Sequence, residues 1–126
     1  MLETASTPKK GETTWLWLLK IITGLLIFII LGIHFIVNHM LGTHAGGLLT
    51  YQEVVAYYQN PIIPIMEIAF LLFVVSHSLI GLRSIFLDLN PSSRALSAVN
   101  WLFSAVGIVS VVYGIWLVMT IVSQGS

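Results

Sequence analysis

Residues 15–41 read WLWLLKIITGLLIFIILGIHFIVNHML, an apolar run interrupted by a single charge, Lys20. At about 1.5 Å per residue a helix of that length outreaches the roughly 30 Å hydrocarbon core of a bilayer. The run far exceeds the core of a signal peptide, about 7 to 15 apolar residues, and no A-x-A-like cleavage sequence follows it. It is therefore expected to stay in the membrane as a spanning helix. Two further runs have the same character. Residues 62–87 read IIPIMEIAFLLFVVSHSLIGLRSIFL, and residues 95–122 are apolar without any acidic, basic or histidine side chain.

The joints between these runs are legible from turn chemistry. Gly46 and Gly47 break the first helix, and Thr50-Tyr51-Gln52-Glu53 has the S/T-x-x-E form of a capping box. A short helix over residues 51–58 is expected there, with Val54, Val55, Tyr57 and Tyr58 suited to the membrane interface, and Asn60-Pro61 ends it. Asn90-Pro91 turns the chain again, and Ser92 or Ser93 can cap the third span. The expected fold is all-α and integral to the membrane. A polar tail spans residues 1–14, three transmembrane helices lie at about 15–41, 62–87 and 95–122, and a short tail covers residues 123–126.

Composition agrees. Of 126 residues 57% are hydrophobic and 8% charged, and the mean hydropathy is +0.97, whereas a soluble domain is about a quarter charged. No room remains for a soluble catalytic lobe, so any activity must sit between helices. Net charge is zero and the charges are not clustered, which argues against nucleic acid and against a polybasic lipid-reading patch. Without cysteine there are no disulfides, thiolate metal sites, cysteine-ligated iron–sulfur clusters or covalent c-type haem. Histidine is the only strong nitrogen ligand.

Lys9, Lys10 and Lys20 flank the start of span one, Arg83 and Arg94 flank the turn between spans two and three, and the rest of the chain has no Lys or Arg. The positive-inside rule then puts the N-terminus and that turn in the cytoplasm and the C-terminus on the opposite side.

Ionisable groups within the spans are functional hypotheses by default. His34 lies roughly 28 Å beyond Trp15 along the outward-running first span, at about 1.5 Å per residue, and so falls in the outer half. His77, on the inward-running second span and somewhat closer to Asp88 than to Pro61, falls near mid-membrane or slightly towards the cytoplasm. A depth difference of about 10 Å or more follows. Each ring either hydrogen-bonds a neighbouring helix or ligates a haem iron. Two axial imidazoles must meet one iron at one level, so as ligands these two serve different haems and each needs a histidine from another subunit. Gly81, Ser84 and Asp88 continue the stripe of His77, and Gly81 leaves space for a flat ring. Arg83 can reach a haem propionate or snorkel to the headgroups. Around His34, Gly24 and Gly32 thin the helix, and Asn38 is placed to orient the imidazole. His39 and His44 lie at or beyond the outer boundary, where solvated surface is the default. Glu67, about a turn inside the outer face, is hydrogen-bonded locally or takes part in a proton path.

The segment Ser76-His77-Ser78-Leu79-Ile80-Gly81-Leu82-Arg83 with Leu87-Asp88, the loop Tyr51 to Pro61, and Ile33-His34-Phe35-Ile36-Val37-Asn38 together resemble the three-helix, D-type cytochrome b membrane-anchor subunit of succinate dehydrogenase (succinate:quinone oxidoreductase). The resemblance covers most of Trp15 to Leu89. It implies that His77 is an axial ligand of a proximal haem b and that His34 ligates a distal haem, with His39 as its rival. It further implies a second anchor subunit supplying the opposite histidines, and docking of iron–sulfur and flavoprotein subunits at the cytoplasmic membrane of a prokaryote. Quinone, menaquinone by the two-haem analogy, is expected near Asp88. Leu89 stands where the family commonly has the tyrosine of Asp-Tyr, so the hydroxyl that would bond a quinone carbonyl is missing. On this reading the chain is a non-catalytic subunit of an enzyme complex. The rival expectations are a haem-free structural or assembly subunit and a small proton- or solute-translocating subunit built around Glu67. Against the latter, the third span offers no acidic, basic or histidine group and no broken helix.

Overall fold

The computed structural model of the protein describes residues 11–39 and 50–126, with side chains for 11–36 and 50–126. The expected tail over 1–10, the stretch 40–49 with Gly46, Gly47 and His44, and the side chains of Asn38 and His39 lie outside the described residues. Four helices make up the remainder: α1 Thr14–His39, α2 Tyr51–Tyr58, α3 Ile62–Asp88 and α4 Ser93–Ser123. α1, α3 and α4 are long and apolar enough to cross a membrane, so the chain is an all-α, multi-pass membrane protein.

Local chemistry sets the ends. Thr13 Oγ1 accepts from Leu16 N at 3.3 Å and starts α1. At α2 the expected capping box is complete: Glu53 N donates to Thr50 Oγ1 at 3.4 Å, and Thr50 N donates to Glu53 Oε2 at 2.7 Å. Of the two serines that could cap α4, Ser92 does so, accepting from Ala95 N at 3.3 Å. That lets α4 begin two residues earlier than the apolar run suggests. α3 closes with Asn90 at φ +52°, a left-handed position that asparagine tolerates, and Pro91 prevents continuation. Thr14 is already helical, and Glu12 is only 8% exposed.

α3 is the central element. α1 packs along one flank and α4 along the other, and α1 and α4 do not pack on each other. On the α4 side, Leu79 and Leu71 of α3 fill the space that side chains at Gly107 and Gly114 would need, which brings the two backbones close. α2 lies across the end formed by the start of α3 and the end of α4. Gln59 Nε2 ties it there by donating to Val55 O at 3.1 Å and Val122 O at 3.2 Å.

The bundle has almost no hydrophobic core. Among the described residues Ile63 is the one buried apolar side chain, while Phe28, Leu25, Ile65 and Val109 are each more than 60% exposed. Such a surface is intolerable in water and ordinary in lipid. Trp15 and Trp101 are exposed towards one end, and the stacked Tyr113–Trp116 pair lies towards the other, with centroids 5.8 Å apart. Rings at both ends are what membrane interfaces favour.

Candidate functional site

The few polar groups inside the bundle gather into two nodes, one around each histidine. His77 and Ser84 lie two helical turns apart on the stripe of α3 that faces α1. Opposite them α1 presents Lys20, Thr23 and Gly24. His77 Nδ1 is 3.0 Å from Lys20 O and 3.3 Å from Thr23 Oγ1. The Thr23 hydroxyl has one proton and donates it to Leu19 O at 2.7 Å, so towards the imidazole it can only accept. A carbonyl oxygen also only accepts. Both partners therefore require the proton on Nδ1, which puts the ring lone pair on Nε2. The ring lies against Gly24, where an added Cβ would come within 2.9 Å of His77 Cε1.

Below this ring sits a buried ion pair. Lys20 Nζ is 2.8 Å from Glu12 Oε1 and donates to Ser84 Oγ at 3.0 Å, with the Glu12 side chain 1% exposed. Taking two charges out of water is tolerable only with such close pairing and a further hydrogen bond. The ion pair lies at the start of α1, and the Lys20–Ser84 hydrogen bond fastens it to the last turns of α3.

The second node joins His34 to Glu67. Nδ1 of His34 is 3.4 Å from Glu67 Oε1, and its ring stacks on Phe70 with centroids 6.2 Å apart and planes 13° from parallel. Here too an oxygen faces Nδ1, the partner pattern that orients ligating histidines. On α1 the two nodes are separated by the stretch from Gly24 to His34, about 15 Å along the axis, which agrees with the depth separation expected from sequence. Among the described residues no three His, Cys, Asp or Glu groups form a metal cluster.

The remaining expected site residues are dispersed. Arg83 turns the other way, towards α4, where its Nε donates to Asn100 Oδ1 at 2.7 Å. Ser84, 4% exposed, is taken up by Lys20 and lies against α1. Arg83 and Ser84 thus lie on different flanks of α3. Nothing lies within 4 Å of an added Cβ at Gly81 or Gly32, so both leave open space. Gly24, expected to thin the helix around His34, instead receives His77. Asp88 is exposed at the last residue of α3, with Leu89 exposed beside it.

Sequence reading missed Glu12, Thr23 and Asn100 and did not pair Lys20 with anything. One signal was available: Lys20, Thr23 and Gly24 follow the i, i+3, i+4 spacing of a single helix face.

Over residues 3–115 the chain matches the family described as "Succinate dehydrogenase/Fumarate reductase transmembrane subunit". The chain belongs to this family. Among similar proteins, the "Succinate dehydrogenase hydrophobic membrane anchor subunit" of Archaeoglobus fulgidus is 37% identical over 105 residues, 83% of this chain and 87% of that one. The "Succinate dehydrogenase 2 membrane subunit SdhC" of Mycobacterium tuberculosis is 31% identical over 93 residues, 73% of this chain and 66% of that one. No solved structure matches. The succinate dehydrogenase membrane anchor expected from the histidine segments is the family found. One of the relatives is a C subunit, so the family as a whole is what the comparisons establish.

Proposed function

We propose that this chain is a haem b-binding anchor of a succinate:quinone oxidoreductase, with His77 ligating a proximal haem and His34 a distal one. The observation that carries the reading is His77 Nδ1, held between two oxygens that can only accept, Lys20 O at 3.0 Å and Thr23 Oγ1 at 3.3 Å. That arrangement fixes the tautomer and ring orientation a ligating Nε2 needs. Glu67 at His34 supports the second assignment in the same way.

Held by His77 and His34, haem would supply one-electron transfer. The opposite ligands come from a second anchor subunit. This chain's residues hold the imidazoles and set their depth; succinate chemistry belongs to the flavoprotein and iron–sulfur subunits docked at the cytoplasmic face. Quinone, menaquinone on the two-haem analogy, is placed near Asp88 at the cytoplasmic end of α3. The positive-inside distribution of Lys and Arg supports a cytoplasmic N-terminus in a prokaryotic cytoplasmic membrane. The absence of native cysteine makes that testable by labelling single cysteines introduced at Thr7 and Ser126 from either side.

The test of ligation is a reduced-minus-oxidised spectrum of the purified complex. His77→Ala should lose one b-type haem and His34→Ala the other, each singly. Full haem content in His77→Ala would overturn the assignment. A wild-type complex with no b-type absorbance would favour a haem-free structural subunit.

A further inference from the structure

Because α1 and α4 pack on opposite flanks of α3, a gap of about 560 Å³ opens between them on one side of it. Its walls are apolar, with Leu16 and Leu19 from α1, Val75 and Leu79 from α3, and Phe103 and Val111 from α4. Its polar end is Arg83 with Asn100. From Arg83 back to Val75 the trough follows α3 for about 12 Å, and from Asn100 to Val111 it follows α4 for about 16 Å. It is long, narrow and greasy, and it begins at a cation.

That cation lies little more than one turn before the last residue of α3, about 7.5 Å along the axis, within reach of the headgroup region. Asn100 Oδ1 takes Nε and so orients the guanidinium, leaving the Nη groups to bind something else. Lys20 has Glu12 as counter-ion; no carboxylate among the described residues pairs with Arg83. A cation at this depth needs an anion, and the anions a bilayer offers there are phosphates, which a guanidinium grips through two parallel hydrogen bonds.

We propose that this cleft binds one anionic phospholipid from the leaflet on the side of the α3–α4 turn, with its phosphate on Arg83 and an acyl chain along the trough. The headgroup must carry net negative charge, because among the described residues this end of the bundle carries Lys20, Arg83 and Arg94 against Glu12 and Asp88, an excess of one positive charge that a choline or ethanolamine would add to. The site differs from a polybasic surface patch: one fixed guanidinium supplies the charge and the trough supplies the affinity. The inference does not depend on haem ligation, since His77 faces α1 and does not line the cleft.

The test is native mass spectrometry of the whole complex released from nanodiscs of phosphatidylglycerol or of phosphatidylcholine. The wild type should retain one phosphatidylglycerol and discriminate against phosphatidylcholine. Arg83→Gln should lower retention about tenfold, the loss of one charge-assisted hydrogen-bonding group. Ser104→Phe, which fills the trough and leaves Arg83 intact, should lower it as well and guards against a misfolded first variant. A photo-crosslinker at Phe103 should capture lipid. Equal retention of both lipids, undiminished retention in both variants, or crosslinking of Phe103 to a companion subunit's helix would each overturn the proposal.

Discussion

Gly24→Ala tests the placement of His77 more sharply than removing the histidine does. The added methyl would stand 2.9 Å from His77 Cε1, where unbonded carbon atoms ordinarily rest at about 3.5–4.0 Å. The imidazole cannot retreat freely, because Nδ1 is held at 3.0 Å by the Lys20 carbonyl one turn below, on the same helix that carries the new methyl. Moving off the methyl stretches that bond and the 3.3 Å contact to Thr23 together. Overpacking of this kind costs about 1–3 kcal/mol, and a polar group deprived of its partner in hydrocarbon costs a similar amount. Alanine's better helix propensity returns at most about 1 kcal/mol. The expected net loss, about 1–5 kcal/mol at the ring, is enough to displace the imidazole without unfolding a helix held elsewhere by Lys20 and Ser84. The assay is the low-spin haem EPR signal and midpoint potential of the purified complex, read beside subunit stoichiometry. One haem should be lost or shifted while assembly stays near wild type. An unchanged signal with unchanged stoichiometry would mean that His77 does not rest on Gly24 when the complex is assembled.

Other perturbations separate the nodes. Lys20→Met removes the cation from a Glu12 side chain that is 1% exposed, a change worth about 3–5 kcal/mol at buried pairs, and should lower the melting temperature of the complex. Lys20→Met with Glu12→Gln should recover much of it, and haem content should persist in both because the Lys20 carbonyl remains; loss of haem would tie ligation to the charge. Glu67→Gln keeps an oxygen for His34 Nδ1 but removes the charge, so both haems should remain and only the outer midpoint should rise in a redox titration. An unmoved midpoint would place His34 away from iron, and abolished proton movement with intact haems would favour translocation. Tyr58, at the end of α2, titrates above its ordinary 10.0, first because burial disfavours the phenolate and then because Glu67 and Tyr57 repel it. The folded state therefore holds that proton more tightly than the unfolded one. The stability it contributes is complete below pH 10 and is lost as pH rises through the higher folded value. Tyrosinate absorbance against a Tyr58→Phe reference should show the late titration, and Glu67→Gln should bring it part of the way back.

What could be read from sequence was whatever depends on length along the chain. Three apolar runs give three spans, Thr50 and Glu53 give α2 its start, and the positions of His34 and His77 along their spans give two depths that the packing preserves. Which way a side chain faces was much harder to read. In a soluble bundle the apolar stripe marks the inner face, but here lipid and interior are both apolar, so the 3.6-residue period carries little information. That is why Gly24 looked like a neighbour of His34 on the same helix, when it is the seat of His77 on the next. It is also why the sequence does not show that Arg83 and Ser84, adjacent in the chain, face α4 and α1. Glu12 was illegible for a different reason. A carboxylate in a polar leader reads as solvated, and its partner Lys20 lies two turns further on, in a span whose contact with Ser84 bridges 64 positions.

With one buried apolar residue among those described, the bundle gains little from excluding water, and what fixes its geometry must be close packing and the polar nodes. Both select the same rotation of α3. On one flank Leu71 and Leu79 drop into the spaces at Gly114 and Gly107; on the other His77 and Ser84 meet Lys20, Thr23 and Gly24. Turning α3 by a single residue, about 100°, would break every one of these contacts at once. It would also leave the His77 ring without its oxygen partners and Lys20 without Ser84. The groups that aim His77 are therefore the same groups that register the helices, and under the proposed ligation that histidine would need no separate scaffold. A variant that weakens the α4 flank alone, such as Gly107→Val against Leu79, should accordingly disturb the His77 site without touching it, whereas a core-stabilised soluble protein would confine the damage to the neighbourhood of the change.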